Sequence, residues 1–142
     1  MSSYFMNGNF WQELAGLNIA QLPTNGATLV EDKGRLDILF HGFIGKEKWS
    51  QGSKPDVGGF MSDIHGLSLI TEFELTGPRL IFKKRYLHQQ HTISYRLVRD
   101  TVGIFRGMWK IALDDHVIAT DFARCMLTQI PDSFFTEPGK PI

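Results

Sequence analysis

Three side chains that can exchange protons or bind a polar ligand occur close together in the second half of the sequence. Lys84 and Tyr86 alternate with Lys83 and Arg85, and His91 follows after a short polar stretch. Alternate residues of an extended strand share one face, so the amine and the phenol point to the same side. A buried ammonium without a partner is very costly, so Lys84 requires water, a counter-charge or a ligand. These residues are candidates for the polar end of a binding pocket.

The elements that must position them are strands. From residue 27 the apolar residues recur with a period of two, first in 27–31 and 35–44, on either side of the turn Asp32-Lys33-Gly34. Residues 45–66 are rich in glycine and are predicted to be mainly loop with one short strand. Short turns separate the strands that follow, which makes them antiparallel neighbours in a meander. These predicted strands are 67–76, 79–87, 91–99, 104–113 and 117–130.

An open sheet of seven or eight such strands would expose two edges, and closure removes both. The sequence therefore predicts an all-β fold: an antiparallel up-and-down meander closed into a small barrel, with residues 1–142 forming a single domain. Residues 4–22 are predicted as a short N-terminal helix, because Phe10, Leu14 and Leu17 recur at helical spacing, or as the first barrel strand. The alternative to a barrel is an open sheet covered by that helix. Residues 131–142 are predicted to be a C-terminal tail.

The short turns also suggest a strand register. Phe73 is predicted to lie opposite Phe82, Phe82 opposite Tyr95, and Tyr95 opposite Gly107, whose missing side chain would make room for the ring. The predicted interior then has one apolar layer and two layers that contain an amine, a phenol, an imidazole and a hydroxyl. The candidate ligand-binding residues are Thr71, Phe73, Phe82, Lys84, Tyr86, His91, Ile93, Tyr95 and Trp109.

Part of this pattern is familiar. The segments Phe82-Lys-Lys-Arg-Tyr86, His91-Thr-Ile-Ser-Tyr95 and Phe105-Arg-Gly107-Met-Trp109, after the glycine-rich Asp56-Val-Gly-Gly-Phe60, follow a recurrent rhythm. It resembles that of small lipocalin-like (calycin-type) β-barrels over residues 56–127. The resemblance implies an up-and-down barrel that holds a small apolar ligand. Arg96 departs from the pattern, because a small residue usually follows the tyrosine there.

Other kinds of chemistry lack the residues they need. Fifteen basic residues balance fifteen acidic ones, and no exposed aromatic platform accompanies the basic strands, so no nucleic acid is expected as a partner. Cys125 is the only cysteine, the five histidines lack metal-ligand spacing, and no nucleotide-binding motif is present, so no metal or cofactor is expected. No apolar run is long enough for a membrane span, and no secretory signal is recognised. The expected location is the cytoplasm.

The leading hypothesis is an intracellular barrel that binds an apolar or amphipathic small molecule in its interior. Lys84 would suit a carboxylate head, and the apolar part would lie against Phe82 and Trp109. One alternative is an enzyme that uses Tyr86 and His91, with Asp121 as a further acid, for acid–base chemistry, although no residue is assigned a catalytic role. The other is an interaction scaffold with a filled barrel. The sequence leaves the oligomeric state open, a homodimer included.

Overall fold

A computed structural model describes residues 3–13, 27–30, 35–45 and 58–131. These residues form strands and turns, with no helix among them. The strands are β1 (Ser3–Glu13), β2 (Ala27–Val30), β3 (Arg35–Gly45), β4 (Gly59–Asp63), β5 (Gly66–Thr76), β6 (Arg79–Tyr86), β7 (Ile93–Arg99), β8 (Phe105–Leu113) and β9 (His116–Ile130).

The strands close into a barrel. From β3 to β9 each strand pairs antiparallel with the next, and β1 pairs with both β9 and β3, which joins the two ends of the sheet. Eight strands thus form the ring, while the short β2 extends it beside the first residues of β3. This confirms the predicted all-β meander and its closure. β1 is therefore not an edge strand of the sheet, because it hydrogen-bonds to a neighbouring strand on both sides.

The helix predicted at the N-terminus is wrong for residues 4–13, which lie in β1 as the alternative prediction had it. Met6 and Phe10 point inward and are buried, while Phe5 is largely exposed, as a period of two requires. The helical spacing depended on Leu14 and Leu17, which lie outside the described residues. So do the turn predicted at 32–34, most of the loop at 45–66, and all of the predicted tail except Pro131.

The register between β5 and β6 differs from the prediction because of a β-bulge. Near the turn the pairing is as expected, with Glu74 opposite Ile81, but it shifts by one residue between Thr71 and Glu74. Glu72 within the bulge has a positive φ of 49°. Beyond the bulge Ile70, not Thr71, lies opposite Lys84. Because of the extra residue, Ser68 and Ile70 point into the barrel, where regular alternation would have placed Leu69 and Thr71.

The other two predicted registers keep the correct faces. Phe82 lies opposite Tyr95, as predicted. Between β7 and β8 the true register is displaced by two residues, so Tyr95 faces Trp109 and Leu97 faces Gly107. A shift of two preserves which side chains point inward. The predicted role of Gly107 is wrong, however: a Cβ there would lie 1.9 Å from the Arg96 carbonyl oxygen, so the glycine permits close backbone approach.

The two ends of the barrel differ. The end with the β5–β6 and β7–β8 turns is filled with buried apolar side chains, among them Leu80, Leu97, Phe105 and Cys125. The opposite end carries the β4–β5, β6–β7 and β8–β9 turns and the last residues of β1. Its interior includes two fully buried charged side chains, from Lys84 and Asp63. The apolar end stabilises the fold, and the polar end contains the candidate site.

Candidate functional site

A charged cluster occupies the interior at the polar end, and two strands supply it. Lys84 and Tyr86 are alternate residues of β6, so both point into the barrel. Asp63 is the last residue of β4, immediately before the turn into β5. Its Oδ1 accepts a hydrogen bond from the His65 backbone N–H at 2.8 Å, which fixes the carboxylate within the turn. The second carboxylate oxygen is left to face the interior.

Asp63 Oδ2 receives two hydrogen bonds from β6. Lys84 Nζ donates at 3.2 Å and the Tyr86 hydroxyl at 2.6 Å, while Nζ and the hydroxyl oxygen are 2.9 Å apart. The side chains of Lys84 and Asp63 are both inaccessible to solvent. A buried charge is tolerable only when it is paired and hydrogen-bonded, and this cluster meets both conditions.

Three aromatic rings lie around the ammonium. Nζ of Lys84 lies 4.5 Å from the ring centre of Phe10, 4.7 Å from that of Tyr86 and 5.2 Å from that of Tyr95. The negative faces of such rings attract a cation, most strongly where water is excluded. These three rings therefore offset part of the free-energy cost of burying the charge.

Burial dominates the titration of the cluster. It lowers the pKa of Lys84 to about 8, although the charge and hydrogen bond of Asp63 act in the opposite direction. Burial, reinforced by the negative charge of Asp63, raises the pKa of Tyr86 well above its ordinary value, so this phenol keeps its proton. The pKa of His65 is lowered by burial, against the charge of Asp63. At neutral pH the site thus has a neutral phenol and an amine that is mostly protonated but loses its proton more readily than an ordinary lysine.

An open space adjoins the cluster. The cavity has a volume of about 210 Å³ and reaches the surface beside the exposed Gln89. His65 lies at its polar side, where its Nε2 is 2.9 Å from Gln12 Oε1. The lining residues are Phe10, Gln12, His65, Lys84, Tyr86, Gln89, Ile93, Tyr95, Trp109 and Ile111.

Trp109 forms one wall of this cavity and is held in place by the backbone. Its indole Nε1 donates a 2.9 Å hydrogen bond to the carbonyl oxygen of Trp11, on β1. Its ring meets that of Phe10 edge to face, with centres 6.2 Å apart. A ring anchored at both its polar and its apolar side presents a fixed surface to whatever occupies the cavity.

Five of the nine candidate ligand-binding residues line the cavity: Lys84, Tyr86, Ile93, Tyr95 and Trp109. Phe82 is fully buried behind it, stacked on Tyr95 at 4.6 Å. Phe73 is half-buried and packs against the core away from the cavity.

The other two candidates were placed inside wrongly. Thr71 lies opposite Lys83, on the outer face, because of the bulge in β5. His91 is exposed and precedes β7, which begins only at Ile93, so it does not point into the barrel. The hairpin between β6 and β7 is wider than predicted, and the histidine lies in its loop.

The candidate list missed six residues of the site: Phe10, Gln12, Asp63, His65, Gln89 and Ile111. Phe10 and Gln12 fell in the predicted helix, and Asp63 and His65 fell in the region interpreted as loop. One signal was available, because a counter-charge is one way to stabilise a buried Lys84 and Asp63 is a carboxylate four residues before the predicted strand 67–76. The only carboxylate considered from the sequence was Asp121, as a further acid. That residue is buried and paired with Trp109, but its carboxylate accepts from the Phe122 backbone N–H, whereas Lys84 binds Asp63.

Among the residues that the structure describes, no group of three His, Cys, Asp or Glu side chains is arranged to hold a metal ion. None of the described elements is a helix long and apolar enough to cross a membrane. Comparison of the chain with protein-family models, with curated proteins and with solved structures found no match. Function is therefore inferred from the cavity and the cluster beside it.

Proposed function

We propose that the barrel binds a compact, uncharged small molecule that combines a ring with one hydrogen-bonding group. The observation that carries this proposal is the cavity of about 210 Å³ that leads from the surface to the buried Lys84 cluster. An apolar cavity of roughly 150 Å³ holds benzene, so this space suits a ligand of about eight non-hydrogen atoms. The volume is small for the long-chain carboxylate that the sequence suggested.

Charge also favours a neutral ligand. The carboxylate of Asp63 already neutralises Lys84 at 3.2 Å, and a ligand carboxylate would lie close to the same aspartate. A hydroxyl or carbonyl group can instead share the hydrogen-bonding groups of Tyr86 and Lys84 without adding charge. Aromatic walls from Phe10 and Trp109 suit a flat ring. The proposal includes membership of the lipocalin-like barrels, which this sequence resembles and whose binding of small ligands fits such a function.

A titration with benzyl alcohol tests the proposal. The Trp109 indole N–H gives a resolved signal in a proton–nitrogen correlation spectrum, which Trp109→Phe identifies by its loss. We expect this signal to shift on titration, with a Kd of about 0.3 mM if each of about eight ligand atoms contributes roughly 0.6 kcal/mol. Laurate should bind more weakly, because its charge and length both fit the cavity poorly.

A matched pair of variants locates the binding. Ile111 is half-buried and lines the cavity, so Ile111→Trp should fill the space and abolish the shift. Leu113 lies two residues further along β8 but is largely exposed, so Leu113→Trp should leave binding unchanged. Equal titration curves for both variants, or no response of wild-type protein to benzyl alcohol, phenol or indole, would refute the proposal and favour a barrel that is only a scaffold.

A further inference from the structure

Lys84 differs from the other described lysines in a way that matters for its reactivity. Lys83 and Lys110 point outward, and Lys83 forms an exposed ion pair with Glu72. Lys84 is only 1% exposed to solvent, yet it lines an open cavity. The amine is shielded from bulk water but borders a space that can hold a small molecule, and desolvation of this kind favours covalent chemistry at lysine.

The neighbours of the amine supply the necessary proton transfers. Tyr86 hydroxyl lies 2.9 Å from Nζ and 2.6 Å from Asp63 Oδ2, so the three groups form a closed triangle of hydrogen bonds. Proton transfer across such distances requires no rearrangement of the backbone. The carboxylate accepts a proton from the ammonium, and the phenol can pass one on.

We propose that Lys84 forms a reversible imine with a compact aldehyde or ketone that occupies the cavity. This inference rests on the proposed function and names the ligand's reactive group: the hydrogen-bonding group of the bound ring compound is a carbonyl.

The reaction balances with the groups present. Lys84 transfers a proton to Asp63, and the freed lone pair of Nζ attacks the carbonyl carbon to form a C–N bond. The electron pair of the C=O π bond moves to oxygen, which takes the proton that the attacking nitrogen releases, passed on by the Tyr86 hydroxyl, to give a carbinolamine. Loss of that hydroxyl as water, with return of the proton, forms the C=N bond. The net change is ammonium plus carbonyl to protonated imine plus water, with no oxidant or reductant.

Electrostatics favours this product. The protonated imine carries the same single positive charge as the ammonium it replaces, and Asp63 remains its counter-ion. The rings of Phe10 and Tyr95, at 4.5 and 5.2 Å from Nζ, still face a delocalised cation. The site therefore accommodates the product without an unpaired buried charge, and the water that is released leaves towards Gln89.

The state of the amine agrees with this geometry. A pKa of about 8 leaves roughly a tenth of Lys84 unprotonated at pH 7, against a few parts in ten thousand for an ordinary lysine. The groups that face Nζ are Asp63, which opposes deprotonation, and the two phenols Tyr86 and Tyr95, which remain neutral because burial raises their pKa.

The test uses benzaldehyde with borohydride, which reduces an imine to a stable secondary amine. Intact-mass measurement counts the adducts, and peptide mapping of the wild-type protein locates them. We expect a single early adduct at Lys84, formed at least about tenfold faster than at Lys83 at pH 7. Its rate should rise with pH and level off above about 8, whereas labelling of an ordinary lysine continues to rise to a pH of about 10.

Two variants serve as controls. Lys83→Met should leave the labelling at Lys84 unchanged, because the Lys83 side chain lies on the outer face. Lys84→Met combined with Asp63→Asn removes the amine without leaving a buried carboxylate, and it should lose the early adduct. The Trp109 indole N–H signal of the same double variant reports whether the wall of the cavity is intact.

The possible failures are distinguishable. Slow labelling spread over the exposed lysines, while benzyl alcohol still shifts the Trp109 signal, overturns the imine and leaves non-covalent binding in place. Early labelling that persists in the double variant also overturns it, because the adduct would then lie elsewhere. Absence of both labelling and benzyl alcohol binding overturns the inference together with the proposed function.

Discussion

Replacing Asp63 by asparagine tests whether the charged cluster is as buried as the structure has it. The asparagine side chain would keep an oxygen that accepts the His65 backbone N–H, so the turn between β4 and β5 should persist. What disappears is the negative charge 3.2 Å from Nζ of Lys84. The ammonium would then be buried among aromatic rings without a counter-charge, and it must either lose its proton or move towards water.

The expected cost follows from that distance. Two unit charges 3.2 Å apart interact by about 5 kcal/mol at an effective dielectric constant of 20. Removing one partner of a buried pair typically costs about 3–5 kcal/mol, a large part of the roughly 5–15 kcal/mol that stabilises a domain. The double variant with Lys84→Met leaves no buried charge and should recover most of the loss, because apolar replacement of a whole buried pair is often neutral. The coupling between the two sites should therefore be at least about 2 kcal/mol.

Urea unfolding at pH 7, followed by circular dichroism and by tryptophan fluorescence, measures these free energies. The control is Lys83→Met, which breaks an ion pair at 2.8 Å whose side chains are 41% and 66% exposed; it should cost less than about 1 kcal/mol. If Asp63→Asn also costs under about 1 kcal/mol, and its effect adds to that of Lys84→Met, then Lys84 reaches solvent and the reasoning about the cluster is wrong.

Two further predictions concern the packed end of the barrel. Burial raises the pKa of Cys125 to about 12, so between pH 8 and pH 10 only the unfolded chain ionises this thiol. Over that range the free energy of unfolding should therefore fall by about 1–2 kcal/mol more in the wild-type protein than in Cys125→Ala. Urea titrations at pH 8 and pH 10 measure the difference. Gly107→Ala should destabilise the fold by several kcal/mol, because its Cβ would lie 1.9 Å from the Arg96 carbonyl oxygen. Gly103→Ala should cost only about 1–2 kcal/mol, because Gly103 has a φ of 90° but open space around it. Equal melting temperatures for the two variants would contradict this prediction.

The parts of the fold that the sequence predicted are those that a period of two determines. Residues from β5 onward alternate cleanly and are joined by short turns, so the order of strands and the inward faces of β6, β7 and β8 followed directly. Even the error of two residues between β7 and β8 kept Tyr95 and Trp109 inside. Lys84 was correctly placed in the interior, since it lies on the same face as Phe82 and Tyr86.

What the sequence did not predict depends on contacts between distant residues. The bulge at Glu72 is an insertion of one residue relative to β6, and nothing in the local pattern of β5 distinguishes it from regular alternation. The partner of Lys84 lies 21 residues away on β4, a strand of five residues after a glycine-rich stretch. Asp121 was singled out instead because it lies in the middle of a long predicted strand, although the face it occupies depended on the register.

The arrangement of the two ends gives the site a physical basis. At the polar end, the hydrogen bonds among Lys84, Asp63 and Tyr86 fix the cluster, and the cavity lies beside it. At the packed end, the rings of Phe82 and Tyr95 stack with their centres 4.6 Å apart. Tyr95 also lines the cavity, so this stack is the floor that separates the two regions. A change that loosens the floor should therefore weaken both stability and binding, whereas one at Ile111 should affect binding far more than stability.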